Sequence, residues 1–348
     1  MDQGISITTG ARLHFGPLAV RPASGRQFGG VGMMLDQPYC AVHVRPAEVD
    51  QVIAGAEAPR IARIVEQYRQ RASRPVPTCQ VELRESLPQH AGFGSGTQLA
   101  LAVARGLSHL AGEADRDALT LAHCVERGRR SAVGIHGFAQ GGLIVDAGKA
   151  APDEIGALAC RAAVPEQWRC LLVTPSVEAG VSGMVEQTAF ERLPPMPAAV
   201  TGRLCTIAIR EILPSVLAAD FAAFSAAVFD FGWHVGEYFA PVQGGVLANL
   251  RMAHLMEWLR GAGVAGVGQT SWGPTLFAFC PTAARARELQ LALAGECEWR
   301  DCTLRIAGPL NQGAASCAAA AAHDADHSRA APAANGASAP SISSSRSS

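Results

Sequence analysis

The stretch PQHAGFGSGTQLALAVA, residues 88–104, sets three glycines, a serine and a threonine directly ahead of an apolar run. Gly92, Gly94 and Gly96 carry no Cβ, so the backbone there can take left-handed angles and approach a ligand closely. Leu99, Ala100, Leu101, Val103, Ala104 and Leu107 predict a helix that follows Thr97. The loop then lies at a helix N-terminus, where unpaired N–H groups and the positive end of the helix dipole suit a phosphate. Ser95 and Thr97 add hydroxyl donors, and His90 stands where it can donate to a phosphate oxygen. The same residues also read as a tight turn with Ser or Thr as an ordinary N-cap, and spacing alone leaves both readings open.

Other residues have the types that chemistry needs. Arg12 and His14 alternate along the strand-like ARLHFG, so both can point to one face and meet an anionic substrate. The alternative is a surface pair on an N-terminal strand. Glu237 and Gln243 flank YFAP, and an aromatic group beside polar ones suits a flat ring ligand. The alternative is a helix end that buries Tyr238 and Phe239. Glu126 is a lone carboxylate beside Arg127, Arg129 and Arg130 and reads as a solvent-facing helix carboxylate. Asp36, Asp146 and Asn311 are secondary candidates.

These groups need a scaffold, and composition bounds it. The chain has 348 residues, 49% hydrophobic and 17% charged, with a formal net charge of -1. That is a globular chain of about two domains. With a pI near 6.8 it carries no basic field for nucleic acid. Its ten cysteines are scattered with no CxxC pair, which reads as reduced thiols in a cytoplasmic protein. The N-terminus does not read as a signal peptide, and the short, broken apolar runs predict no membrane span.

Periodicity predicts a strand, turn and strand edge over residues 5–20, a strand at YCAVHVRP, a helix over 60–71 and a strand at CQVELRESLP. A helix over 118–129 and a buried strand at GGLIVDAG follow. Beyond residue 165 come a strand at WRCLLVTPS, helices over about 201–216, 221–239 and 245–261, and strands at TLFAFC and CTLRIAG. Strands and helices mix without strict alternation, so the fold class is α+β. The expected division is 1–164, 165–313, and an Ala- and Ser-rich tail, 314–348, expected to be disordered.

PQHAGFGSGTQLA resembles the P-x-x-x-G-L-G-S-S-x-A phosphate loop of the GHMP kinase superfamily, with Phe93 for the usual Leu and Gly96 for the second Ser. With ARLHFG, RSAVGIHGFAQGGLIVD, VGEYFAPVQGG and GVGQTSWGPTLFAF, the chain resembles one branch of that superfamily. This is the beta-ribofuranosylaminobenzene 5'-phosphate (beta-RFAP) synthases, and the resemblance spans about residues 5–314.

The resemblance implies a two-domain GHMP-kinase-like fold with the ligand cleft between the domains. It implies an enzyme that joins phosphoribosyl diphosphate to 4-aminobenzoate, or to the related 4-hydroxybenzoate, with loss of CO2 and diphosphate. The product is a C-riboside in the biosynthesis of tetrahydromethanopterin-type one-carbon carriers. It implies Mg²⁺ with the diphosphate, Glu126 lying near the place where superfamily kinases keep a Mg²⁺ ligand, and a homodimer. GQTSWGP takes the place of the late glycine-rich motif beside the phosphate loop, which makes Gln269, Ser271 and Trp272 cleft candidates. Many superfamily kinases place an Asp where this chain has His136 or Gly137, which weakens a second reading as an ATP-dependent small-molecule kinase. A third reading is a non-catalytic sensor of phosphorylated ligands.

Overall fold

The computed structural model describes residues 4–176, 193–247, 250–270 and 273–318. Two long antiparallel strands, β1 (Ile5–Gly16) and β2 (Gly30–Pro46), form the centre of a seven-stranded sheet. Their register sets Arg12 opposite Met34 and His14 opposite Gly32. Going outward from β2 come β4 (Cys79–Glu85) and β3 (Gln51–Ile53) on one path, and β5 (Leu143–Asp146) and β6 (Leu158–Ala162) on the other. Among the described strands of this sheet only β3 and β4 pair in parallel.

Helices α1 (Ala58–Arg71), α2 (Ser95–Leu110), α3 (Ala118–Cys124) and α4 (Val133–Gln140) gather beside this sheet. Helix α2 is apolar nearly all round and buried from Gln98 to Ala104. A helix without a polar face belongs in the interior, and α2 packs on β1, β2, α1, α3 and α4. Its Gly106 leaves room for the Val44 side chain of β2. The N-terminus of α2, with the glycine loop, is thereby held rigidly against the sheet.

The chain enters a second, four-stranded antiparallel sheet at β7 (Arg169–Pro175), which pairs with β10 (Cys302–Ala307) and β9 (Leu276–Cys280). β8 (Val267–Gln269) completes it at the edge. Helices Phe221–Gln243, Leu250–Gly261 and Ala283–Gly295 pack about it. Aromatic rings join the two sheets: Phe15 of β1 lies 5.7 Å from Phe277 and 6.0 Å from Phe279, and Phe224 lies 5.0 Å from Phe279. Such tilted and edge contacts add to the burial itself.

Several elements depart from the expectations. Residues 5–16 form one continuous strand. The expected helix over 118–129 stops at Cys124, because Glu126 takes a left-handed φ of 54° and the N–H of Arg127 turns back to the carbonyl of Ala122. This is a Schellman-type ending, with Glu126 where glycine is usual. The helix from Phe221 runs through Pro241 to a left-handed Gly244 cap. Strand β6 and the helices Val133–Gln140 and Ala283–Gly295 were not expected from periodicity.

Residues 314–318, assigned to the tail from composition, belong to the first sheet. Ala314 donates its N–H to Phe138, and β11 (Ala315–Ala318) pairs antiparallel with Ile5–Thr8 of β1. An edge strand needs only a partner's free backbone groups, so small exposed residues suffice. Residues 308–318 thus return to the first sheet, and 319–348 lie outside the described residues. All ten cysteines are free thiols. Among the described residues no helix is long and apolar enough to cross a membrane.

Candidate active site

Three distant pieces of chain meet at the glycine loop. Gly92 has φ 85° and Gly94 has φ 69°, both left-handed. A Cβ on Gly92 would lie 2.5 Å from Thr270 Cγ2 and 2.6 Å from the Thr270 carbonyl oxygen. Only glycine fits there. The buried Thr270 hydroxyl donates to the Gly92 carbonyl at 3.0 Å and accepts the His14 N–H at 3.2 Å. The Arg12 N–H donates to the Phe93 carbonyl at 3.0 Å. A Cβ on Gly94 would stand 3.0 Å from Arg12 Nε. The structure therefore brings Arg12, His14, Gly92, Gly94 and the end of β8, which carries Gln269, to one place.

The two strand residues differ in charge. Burial, followed by the nearby Arg12 and Arg130, holds the His14 imidazole well below the ordinary histidine range. His14 is neutral at pH 7, with Nε2 3.3 Å from the Ser131 hydroxyl. It can therefore orient by hydrogen bonding, while Arg12 supplies the positive charge beside the loop.

The other side of the loop opens on α2. Ser95, Gly96 and Thr97 form its first turn, Gly94 is the N-cap, and no side chain caps its first N–H groups. A Cβ on Gly96 would meet only two guanidinium ends, Arg60 Nη2 at 3.0 Å and Arg127 Nη1 at 3.6 Å. His90 is not among these groups. It is exposed and lines a separate cavity of about 330 Å³ together with Phe93, Leu172, Thr174, Thr303 and Arg305. Its turn conformation, with φ 55°, carries it to the side that faces the second sheet.

A narrow slot lies between β1 and the helix Phe221–Gln243. Phe15, Trp233, Phe239, Gln243, Val246 and Gln269 are among its walls. Its free volume is about 20 Å³, room for about one water. Gln243 donates to the Val246 carbonyl at 2.9 Å. Glu237 is not part of this slot: it is exposed and its carboxylate faces His234 at 3.2 Å. Gly236 and Phe239 take the inner face, and Glu237, one residue on from Gly236, turns outward. Ser271 and Trp272 lie outside the described residues.

Glu126 does not fit a metal ligand. One carboxylate oxygen lies 2.5 Å from Arg71, and the other lies 3.1 Å from Arg129 and 3.3 Å from Gln67. Both oxygens already face donors that a cation would have to displace. Among the described residues no group of three or more His, Cys, Asp or Glu side chains could hold a metal ion.

The secondary candidates are structural. Asp146 accepts the N–H groups of Ala132 and Gly148 at 2.6 and 2.8 Å, and burial raises its pKa. Asp36 accepts the N–H of Gly308. Asn311 pairs with both backbone groups of Val164. At the place of the kinase Asp, His136 is buried with Nε2 2.8 Å from the Gly156 carbonyl, and a Cβ on Gly137 would lie 2.5 Å from Met34 Sδ.

Thr270, Arg60, Arg127, Phe15 and Trp233 were missed from the sequence. Thr270 sat inside GQTSWGP, and Arg127 beside Glu126, but nothing in their types marks which way they turn.

The family description "GHMP kinases N terminal domain" matches residues 59–142, and "GHMP kinases C terminal" matches residues 212–298. The chain belongs to the GHMP kinase superfamily. A beta-ribofuranosylphenol 5'-phosphate synthase of Methanothermobacter thermautotrophicus is 29% identical over 293 residues, 78% of this chain and 87% of that protein. The enzyme of the same name from Archaeoglobus fulgidus is 25% identical over 304 residues, 82% and 91% of the two chains. These relatives place the GHMP chain in the beta-RFAP synthase branch that its motifs resemble. A mevalonate diphosphate decarboxylase from Enterococcus faecalis shares the fold, with a TM-score of 0.63 at 14% identity over 91% of this chain and 100% of that one.

Proposed function

We propose that this chain is a decarboxylating pentosyltransferase of the beta-RFAP synthase type. It joins phosphoribosyl diphosphate to a benzoate with a para electron donor, 4-hydroxybenzoate or 4-aminobenzoate, in the making of tetrahydromethanopterin-type carriers. The observation that supports it most is what occupies the kinase base position. His136 is turned into the interior on the Gly156 carbonyl, and Gly137 has no room for a side chain. A kinase must activate an acceptor hydroxyl; attack by a ring carbon needs no base.

The ring carbon that bears the carboxylate attacks the anomeric carbon, and diphosphate leaves with the electron pair of the broken C–O bond. The para donor shares the positive charge of the ring. CO2 then departs, and the electrons of its C–C bond restore aromaticity. The protein's share is positioning and charge. Arg12 attracts the carboxylate, neutral His14 and Gln269 orient, and the loop from Gly92 to Thr97 anchors the donor. The slot beside Phe15 and Trp233, with Gln243 at its rim, has room for about one water, so the aryl ring lies outside it, next to Arg12 and Gln269. Magnesium would accompany the diphosphate and offset its charge there; Glu126, held by Arg71 and Arg129, would not carry it. A cytoplasmic homodimer is the form we propose, on the strength of the resemblance.

The test is mass spectrometry after incubation with phosphoribosyl diphosphate and each acid, beside a second incubation with ATP, Mg²⁺ and candidate alcohols. A riboside 5'-phosphate is expected in the first and no phosphorylated alcohol in the second. The reverse result overturns the reading in favour of a kinase. Binding of the donor without turnover overturns it in favour of a sensor.

A further inference from the structure

We propose that Arg127 and Arg60, with the first turn of α2, form a subsite for the diphosphate of the donor, on the side of the glycine loop away from Arg12. This rests on the reading of the donor given above and adds the residues that take its leaving group.

Arg127 is a half-buried cation with an unusual environment. Its Nε is buried and has no hydrogen-bond partner among the described residues. No ion pair to its guanidinium is found among them either. Burial works against its charge, and so do Arg60, Arg129 and Arg63; only Glu126 favours it. Glu126 itself is held by Arg71 and Arg129. Among the described residues Arg60 pairs with Glu57 at 3.1 Å, a buried carboxylate that also accepts from Gln89. The positive end of α2, uncapped by any side chain, adds to the same excess of charge.

A desolvated guanidinium among like charges is a cost to the folded protein. Costs of this kind persist where a ligand relieves them. The local backbone fixes Arg127 in place: the left-handed Glu126 ends α3 and turns the next residue toward Gly96. Both guanidinium ends lie within 3.6 Å of where a Gly96 side chain would start, so glycine lets them come close to the first turn of α2.

A phosphoribosyl diphosphate has two anionic ends. The diphosphate carries more charge than the 5'-phosphate, and it gains charge as the C–O bond breaks. The stronger field belongs with the group that accumulates charge in the transition state. Arg12 lies on the Gly94 side and stays with the acid, while Arg60 and Arg127 lie on the Gly96 side and hold the leaving group.

The experiment uses the full chain, inorganic diphosphate as the probe, and the variants Arg127→Met and Arg127→Lys. Calorimetry reads diphosphate affinity, a thermal melt reads stability without ligand, and riboside formation is followed in parallel. Arg127→Met is expected to weaken diphosphate binding by at least about tenfold, with Arg127→Lys in between. The ligand-free melt of Arg127→Met is expected at or above that of the wild type, because a repelled cation has been removed. A purely structural arginine would lower it. Should Arg127→Met fail to fold, Arg60→Met takes its place, with the same loss of affinity expected.

Wild-type affinity for diphosphate in the folded variant, or no binding by the wild type, overturns the subsite. Riboside formation with diphosphate affinity unmoved by Arg127→Met removes the subsite and leaves the synthase reading. Arg127-dependent binding of diphosphate in a protein that makes no riboside does the opposite.

Discussion

At Gly92 one added carbon would lie 2.5 Å from Thr270; at Gly96 it would meet the flexible end of Arg60 at 3.0 Å. The two glycines are four residues apart, and they do different work. Gly92 is fixed by close packing: its φ is 85°, and Thr270 ties its carbonyl to the backbone of His14. Gly96 has an ordinary helical backbone and neighbours of one charge. The first side of the loop joins the two sheets and sets geometry; the second turns the uncapped N-terminus of α2 toward two guanidinium groups. A glycine motif in a sequence hides this difference.

Substitutions can break the contrast. The largest effect is expected for Gly92→Val. A branched side chain at a left-handed position, against Thr270, should cost about 3 kcal/mol or more of stability and abolish turnover, read by a melt and a product assay. Thr270→Val comes next. It keeps the volume but leaves the Gly92 carbonyl and His14 N–H unpaired in the interior. A loss of about 2 kcal/mol is expected, with slower turnover in the folded fraction.

Gly96→Ala should sharpen the contrast by its mildness. The melt should hold or rise slightly, since alanine suits a helix better than glycine, while diphosphate binding weakens a few-fold as Arg60 is pushed aside. A collapse in stability as deep as that of Gly92→Val would erase the distinction between the sides. The smallest effect is expected for Glu126→Gln. Its carboxylate serves Arg71 and Arg129, so the Mg²⁺ concentration for half-maximal rate should not move, and stability should change by no more than about 1 kcal/mol. A raised Mg²⁺ requirement would restore Glu126 as a metal ligand.

How much of this could be read from residue types depends on the kind of contact. The loop, the strand carrying Arg12 and His14, and the helix after Thr97 were legible because glycine spacing and apolar periodicity are local signals. The side on which each residue falls was not. His90 follows a left-handed turn to the far cavity, and Glu237 sits one helical step off the slot that Gly236 and Phe239 line. Arg127 read as a neighbour of Glu126, because only the left-handed ending of α3 directs it to Gly96. The edge strand Ala315–Ala318 was invisible because backbone pairing with β1, not side chains, holds it there.

The central claim is that bond formation precedes and permits loss of CO2. Decarboxylation of the free acid would leave an aryl carbanion outside the ring π-system, whereas attack on the anomeric carbon first creates a cationic ring that expels CO2 readily. The most direct measurement is release of label from carboxyl-labelled 4-hydroxybenzoate and 4-aminobenzoate, with and without phosphoribosyl diphosphate. Label is expected to leave only when the donor is present, from whichever acid is the substrate, in step with riboside formed. Label released in the absence of donor, or in excess of riboside, would contradict the account.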